Sequence, residues 1–363
     1  DQVVSYDDII LESTLGHYTG AATSGNPAMA RRISVRTETW PSLVPFRISG
    51  ITFDDFPLIV CNIEEDGVTG SGEALGVYYL DETPESMTAQ ITEVLEELAS
   101  GVDRQQLLRL LPPGGARLAV DSALWDLEAQ QSGVSAWESA GVPEAPVETV
   151  FTIGLEPEPD DMATKAAAAT AYSLLKIKLS DDRPVERIAA IREARPDVRM
   201  VVDVNQGWDF AQLVAFAPQL HALGVQMIEQ PLPRGKDEAL EDYQSPVPLC
   251  ADESCLHLGE LGEATTRYDM INIKLDKTGG LTHALELAHA ARDKGVRLMA
   301  GSMGGTSLSM APTHVVAQLC EFADIDGPLL IGDDRPGGLQ YHGGIVSLPT
   351  EGCWGQAEGS RQY

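Results

Sequence analysis

The sequence predicts a (β/α)8 barrel set behind a small α+β domain, and three observations predict it. From Val147 onward, eight short apolar strand-like runs alternate with helical stretches at a period near 25 residues. Charged residues stand at the C-terminal ends of successive runs, where a barrel gathers its chemistry. No Gly-x-Gly-x-x-Gly follows the first strand, which with eight regular units disfavours a doubly wound open sheet.

The elements follow in chain order. The chain begins without Met, and Met29-Ala-Arg-Arg-Ile-Ser-Val reads as a natural start, so residues 1–28 are expected to be an N-terminal extension. Ile33-Ser-Val-Arg-Thr-Glu-Thr-Trp alternates like a strand; Pro41 to Gly50 is expected to be a loop. Leu58 to Gly67 reads as a strand entering an Asp-Gly turn, and Gly70 to Gly76 continues the hairpin. Thr83 or Asp81 can cap a helix with Pro84 at its first position, and Ala116–Ser132 has helical apolar spacing. Strands followed by helices make 29–143 an α+β unit.

Beyond it, strands are expected at Thr149–Ile153, Leu174–Leu179, Arg199–Val204, Val225–Ile228, Leu249–Ala251, Met270–Ile273, Arg297–Ala300 and Phe322–Asp324. Helices are expected at Asp160–Ala171, Pro184–Ala194, Phe210–Ala222, Leu258–Thr265, Leu281–Lys294 and Met310–Leu319. These make 144–334 the barrel, and 335–363 a C-terminal segment expected to return to the first domain.

Composition narrows the function. Lys+Arg 25 against Asp+Glu 55 leaves a net charge of −30, which argues against nucleic acid or an anionic membrane as partner. The five cysteines are scattered, with no Cys-x-x-Cys pair, so neither a disulfide framework nor a zinc site is indicated. No secretory signal and no apolar run of 18 residues is present, so a cytoplasmic protein is the default expectation. Barrels of this kind often self-associate, and a homo-oligomer is compatible with the chain.

The run Leu-Leu-Lys-Ile-Lys-Leu over Leu174–Leu179 is the most informative stretch. In a strand, Lys176 and Lys178 project to one face. The chain has only 7 lysines against 18 arginines, yet places two in an apolar run. Arginine cannot be deprotonated in a protein, whereas burial can lower a lysine towards the range useful for proton abstraction. Further strand ends supply Asp203, Glu229, Asp252 and Lys274, at successive spacings of 25, 26, 23 and 22 residues counted on from Lys178. Three carboxylates on consecutive strands converge at a barrel mouth and suit Mg2+, with Mn2+ as a substitute. Strands two and six lie opposite each other, so Lys178 and Lys274 face across whatever lies between. A cation holding a substrate carboxylate, with a base on one face and an acid on the other, performs 1,1-proton transfer through an enediolate.

Together, Ala123-Leu-Trp-Asp-Leu-Glu-Ala, Lys176-Ile-Lys178, Asp203-Val-Asn-Gln-Gly-Trp, Ile228-Glu-Gln-Pro-Leu, Ala251-Asp-Glu-Ser and Asn272-Ile-Lys-Leu-Asp-Lys-Thr-Gly-Gly-Leu resemble the enolase superfamily, muconate-lactonizing subgroup. The likeness covers about 33–355. It implies a capping domain over a modified barrel, Asp203, Glu229 and Asp252 as Mg2+ ligands, Lys178 and Lys274 as the acid/base pair, and Lys176 near the substrate carboxylate. The use of a Lys base with Mg2+ is a known property of that superfamily. Asp324-Ile-Asp326 resembles the Asp-x-Asp motif with which dipeptide epimerases hold a substrate α-ammonium group. Two acids at i and i+2 share a face and suit a cation.

The resemblance therefore implies an isomerase: a dipeptide epimerase of the L-Ala-D/L-Glu type. A racemase of N-acyl or N-alkyl amino acids shares every catalytic residue and is the alternative, followed by a cycloisomerase or dehydratase. Two features depart from the pattern. Gly305 stands near a place where such enzymes often carry Glu, and the lid loop Arg47–Asp55 has only Arg47 as a basic residue for a distal carboxylate.

Overall fold

The computed structural model describes residues 5–9, 31–48, 51–349 and 353–356, without the side chains of residues 5–9 and 44–53. Its N-terminal sheet is antiparallel, in the order β1 (Ser5–Ile9), β2 (Arg32–Ile48), β3 (Ile51–Glu65), β4 (Val68–Ala74). The loop expected from Pro41 to Gly50 is a strand up to Ile48. Prolines cannot donate to a ladder, but the register shifts between Pro41 and Phe46, and that irregularity accommodates Pro41 and Pro45. The segment expected to be a lid loop is thus a hairpin paired on both arms, Arg47 opposite Thr52.

The helix Gly115–Ser132 lies across β4. Gly70 and Gly72 permit this, since a Cβ on either would stand 2.2 Å from the carbonyl oxygen of Ala123 or Ala119. The helix beginning at Pro84 is capped by Thr83 as the sequence predicts, but ends at Glu93. A separate short helical segment, Leu95–Ala99, follows it.

After β5 (Val147–Glu148) come eight parallel strands: β6 (Phe151–Ile153), β7 (Leu174–Lys178), β8 (Arg199–Asp203), β9 (Val225–Glu229), β10 (Leu249–Ala251), β11 (Met270–Lys274), β12 (Arg297–Gly301) and β13 (Phe322–Ala323). They pair in sequence order. A parallel bridge between Thr149 and Ala323 joins the first strand region to the last, curling the sheet on itself. The barrel is modified in its helical layer. Only a 3-10 turn, Glu238–Asp242, links β9 to β10, and a five-residue helix, Gly327–Ile331, follows β13. The helix expected at Leu258–Thr265 is a 3-10 turn, Leu258–Glu260, leading into Leu261–Arg267. A last hairpin, β14 (Gln340–His342) and β15 (Ile345–Ser347), pairs with β5.

The two units are joined by buried polar contacts. Trp125 Nε1 and the Asp121 carboxylate both bond Thr282, at the start of the helix after β11. Arg335 bonds Glu38 on β2 and Glu73 on β4, each at 2.7 Å. Trp354 and Gly355 bond back to the helix Gly115–Ser132, through Ser122 O and Asp126. This places Phe56 and Tyr78 beside the cavity at the barrel mouth.

Candidate active site

Strand periodicity builds the site. Val150, Leu174, Val201, Met227, Cys250, Met270, Met299 and Phe322 form a separate apolar cluster, one residue from each strand region: the barrel floor. Two residues further along, each strand turns the same face inward again. Those positions hold Thr152, Lys176, Asp203, Glu229, Asp252, Asn272, Gly301 and Asp324, a ring of almost wholly polar groups over the floor. Two residues further still, β7 and β11 contribute Lys178 and Lys274. Asp203 and Glu229 stand level because the register pairs them directly, with Lys178 paired to Asp203 on the other side.

All eight charged residues expected at the strand ends are brought together and buried. Lys176 Nζ lies 3.1 Å from Asp203 Oδ2 and 2.7 Å from both Glu229 Oε2 and Asp324 Oδ2. Lys178 Nζ is 2.7 Å from Asp203 Oδ2 and donates to Asn205 Oδ1. Lys274 Nζ is 2.7 Å from Asp252 Oδ2. Lys178, Lys274, Asp324 and Asp326 line one cavity. Arg47, expected to touch substrate, has its side chain outside the described residues.

The electrostatics correct one expectation. A lysine lowered towards neutrality was expected, yet Lys274 is raised above its ordinary value. Burial pulls it down, but Asp252, with Glu229 and Asp203, more than offsets that. Lys176 is raised for the same reason, by Asp324, Glu229 and Asp203 against burial. Burial also opposes ionisation of Asp203, but Lys178, Lys176 and Lys274 hold it at about 2. Asp252 is likewise lowered against burial, by Lys274 and Lys277. Glu229 goes the other way, raised first by burial and then by Asp203.

Asp324 and Asp326 share the cavity but differ in state. Asp324 is lowered against burial by the Lys176 charge, whereas Asp326 is pushed up to about 7 by burial and by Asp324. Its Oδ2 accepts a bond from the Thr152 N–H at 2.8 Å.

Sequence reasoning missed three groups here. Lys277, wholly buried, donates to Asp252 Oδ1 and to the Asp252, Cys255 and Asn272 carbonyls. Asn272 Nδ2 bonds Glu229 Oε1 at 2.7 Å. Glu73 accepts from the N–H and hydroxyl of Thr306 and from Arg335. Glu73 also explains Gly305. A Cβ there would stand 2.7 Å from Glu73 Oε1, and φ is 122°, so a carboxylate from the N-terminal sheet fills the space beside the β12 loop. For Lys277 a signal existed: four of the chain's seven lysines lie in this site.

The donor set fits a hard divalent cation. Asp203, Glu229 and Asp252 offer carboxylate oxygens on three neighbouring strands, and Glu229 Oε2 is buried with no hydrogen bond, despite its nearness to Lys176. Among the described residues no three acids, histidines or cysteines stand close enough to form a ready-made metal cage; ammonium groups lie between the carboxylates.

Known proteins resemble this chain in sequence and fold. L-Ala-D/L-Glu epimerase of Escherichia coli (strain K12) is 40% identical over 322 residues, 88% of this chain and 100% of its own. N-acetyl-D-glutamate racemase of a Pseudoalteromonas species is 37% identical over 309 residues, 84% of this chain and 98% of its own. An enolase family member from Agrobacterium tumefaciens with homology to dipeptide epimerases, solved with bound sodium and L-Ala-L-Glu, superposes with a TM-score of 0.87. It is 42% identical, covering 90% of this chain and all of that one. Residues 30–141 match the mandelate racemase / muconate lactonizing enzyme N-terminal domain and residues 160–355 the enolase C-terminal domain-like family, so the chain belongs to the enolase superfamily.

Proposed function

We propose that this protein is a Mg2+-dependent epimerase of dipeptides of the L-Ala-D/L-Glu type, an isomerase working by 1,1-proton transfer. The observation that carries the reading is the pair Lys178 and Lys274, on strands four apart in the eight-stranded barrel, lining one cavity above the carboxylate ring. Lys178 and Lys274 are the acid/base pair, each serving one face of the α-carbon. Lys176, in the ring below, offsets charge near the substrate carboxylate.

Asp203, Glu229 and Asp252 are the proposed metal ligands, and Mn2+ is a plausible substitute on the same oxygen chemistry. When bound there, Mg2+ supplies positive charge to the substrate carboxylate as the α-proton leaves. The carboxylates that raise Lys274, Asp252 with Glu229 and Asp203, are the same groups that would hold such a cation, whose charge would offset theirs.

Asp324 and Asp326 are the proposed partners of the substrate α-ammonium. Two carboxylates beside one cavity, one already paired with Lys176 and one with no cation among the described residues, favour a cationic substrate group over an acyl nitrogen. Arg47 is the proposed partner of a distal carboxylate. The test is steady-state epimerisation, followed by NMR, of L-Ala-L-Glu beside N-acetyl-L-glutamate. Higher kcat/KM for the dipeptide supports the reading; turnover of the acetylated amino acid alone overturns it in favour of an N-acyl amino acid racemase.

A further inference from the structure

Gln230 follows the proposed ligand Glu229 and is fully buried, yet its side chain bonds none of the carboxylates in the ring. Its Oε1 accepts from the N–H groups of Asp252 and Ser254, both at 2.9 Å. Its Nε2 donates to Leu232 O and Ser254 Oγ at 2.8 Å, and to Tyr268 OH at 3.1 Å. Ser254 and Tyr268 in turn donate to Asp237, which fixes the amide's orientation. The main chain of Gln230 accepts from Gln206 N and donates to Cys250 O, each at 2.8 Å.

One residue therefore ties together the ends of β8, β9 and β10, the strands of the carboxylate triad. A second observation lies in the backbone. Gln230 has φ 34°, and Asn205 and Gln206, just beyond Asp203, have φ 45° and 66°. Non-glycine residues at positive φ are costly and persist where the surrounding structure over-determines them, often at functional sites. Here the contacts of Gln230 do the determining.

We propose that Gln230 is a positioning residue that holds Asp203, Glu229 and Asp252 at the spacing a single divalent ion requires; this rests on the metal assignment above. The side chain is neutral, so its removal changes geometry without changing the charge of the site. Outer-sphere partners of this kind typically influence metal affinity by about 10- to 100-fold.

The test is calorimetric titration of Mg2+ into metal-free wild-type protein, Gln230→Met and Gln230→Asn, with thermal melts of the metal-free forms and kcat measured against Mg2+ concentration. Asparagine keeps the buried amide but withdraws it by one methylene, and so decides the matter if the methionine variant does not fold. The expected result is a Mg2+ Kd weakened about 10- to 100-fold, with activity recovered by excess Mg2+. A merely structural residue would lower the melting temperature and leave Kd alone. Affinities within about twofold of wild type, on the scale set by outer-sphere effects, overturn the role of Gln230. Wild-type protein that binds no Mg2+ overturns the metal assignment, and this inference with it.

Discussion

Lys274 Nζ stands 2.7 Å from Asp252 Oδ2, while Lys277, one helical turn on, holds the other oxygen of the same carboxylate. One lysine therefore faces the cavity and its neighbour anchors the acid it faces. That division of labour has consequences for substitutions. Lys274→Met removes a group poised to move a proton, and loss of general acid–base catalysis is expected to cost about 10²- to 10⁴-fold in kcat. Metal affinity and melting temperature are expected to change little by comparison. Lys277→Met leaves Asp252 Oδ1 and three carbonyls without their buried donor, so its expected signature is a fall in melting temperature accompanying the loss of activity. Kinetics and thermal melts of the two variants, side by side, check the distinction.

The proposed contact between Asp326 and a substrate ammonium group is expected to make the activity sensitive to pH. It is pushed up to about 7, and only its ionised form attracts an ammonium group. The sign follows: kcat/KM, which reports the free enzyme, rises as pH increases through about 7 and falls again as a dipeptide α-amino group loses its proton near ~8. Asp326→Asn is expected to lower kcat/KM by about 10- to 100-fold, the worth of a hydrogen bond to a charged group, and to flatten the acidic limb. The pH profiles of wild type and variant check both.

Arg335 holds the N-terminal sheet to the barrel. Its guanidinium serves Glu38 and Glu73, whose side chains are fully buried. Arg335→Met leaves the buried Glu73 with no cation among the described residues and Glu38 with Arg36 alone, and a loss of about 3–5 kcal/mol in unfolding free energy is expected. Denaturant unfolding checks this, with the double variant Glu73→Gln/Arg335→Met expected to recover part of the loss.

Gly305 is expected to tolerate no side chain. Gly305→Ala adds a Cβ at φ 122° and within 2.7 Å of Glu73 Oε1, so a loss of about 1–3 kcal/mol is expected. Gly305→Glu adds like-charge repulsion and is expected to be worse. Melting temperatures of the two variants rank them.

Much of the barrel was legible because its strands are short apolar runs with charges at fixed offsets. Lys176 and Lys178 follow from period-two alternation, and Asp203, Glu229 and Lys274 from their place at the ends of apolar runs. The hairpin through Pro41 and Pro45 was not legible, because prolines read as a loop and the register shift that admits them depends on the partner strand. The raised Lys274 was missed because a strand pattern shows burial but not which carboxylates lie across the barrel. Gln230 and Glu73 act through partners far apart in sequence, such as Tyr268 and Thr306, and no local pattern announces them.

The central claim is that two lysines on opposite strands divide the two faces of one α-carbon. The measurement that tests it most directly is α-proton exchange of L-Ala-L-Glu and L-Ala-D-Glu in D2O with Mg2+, for wild type, Lys178→Ala and Lys274→Ala. Wild type is expected to incorporate deuterium and interconvert the epimers. Each variant is expected to lose interconversion and keep residual exchange on one epimer, opposite epimers for the two variants. Interconversion surviving in either variant, or one lysine exchanging both epimers, would contradict the account.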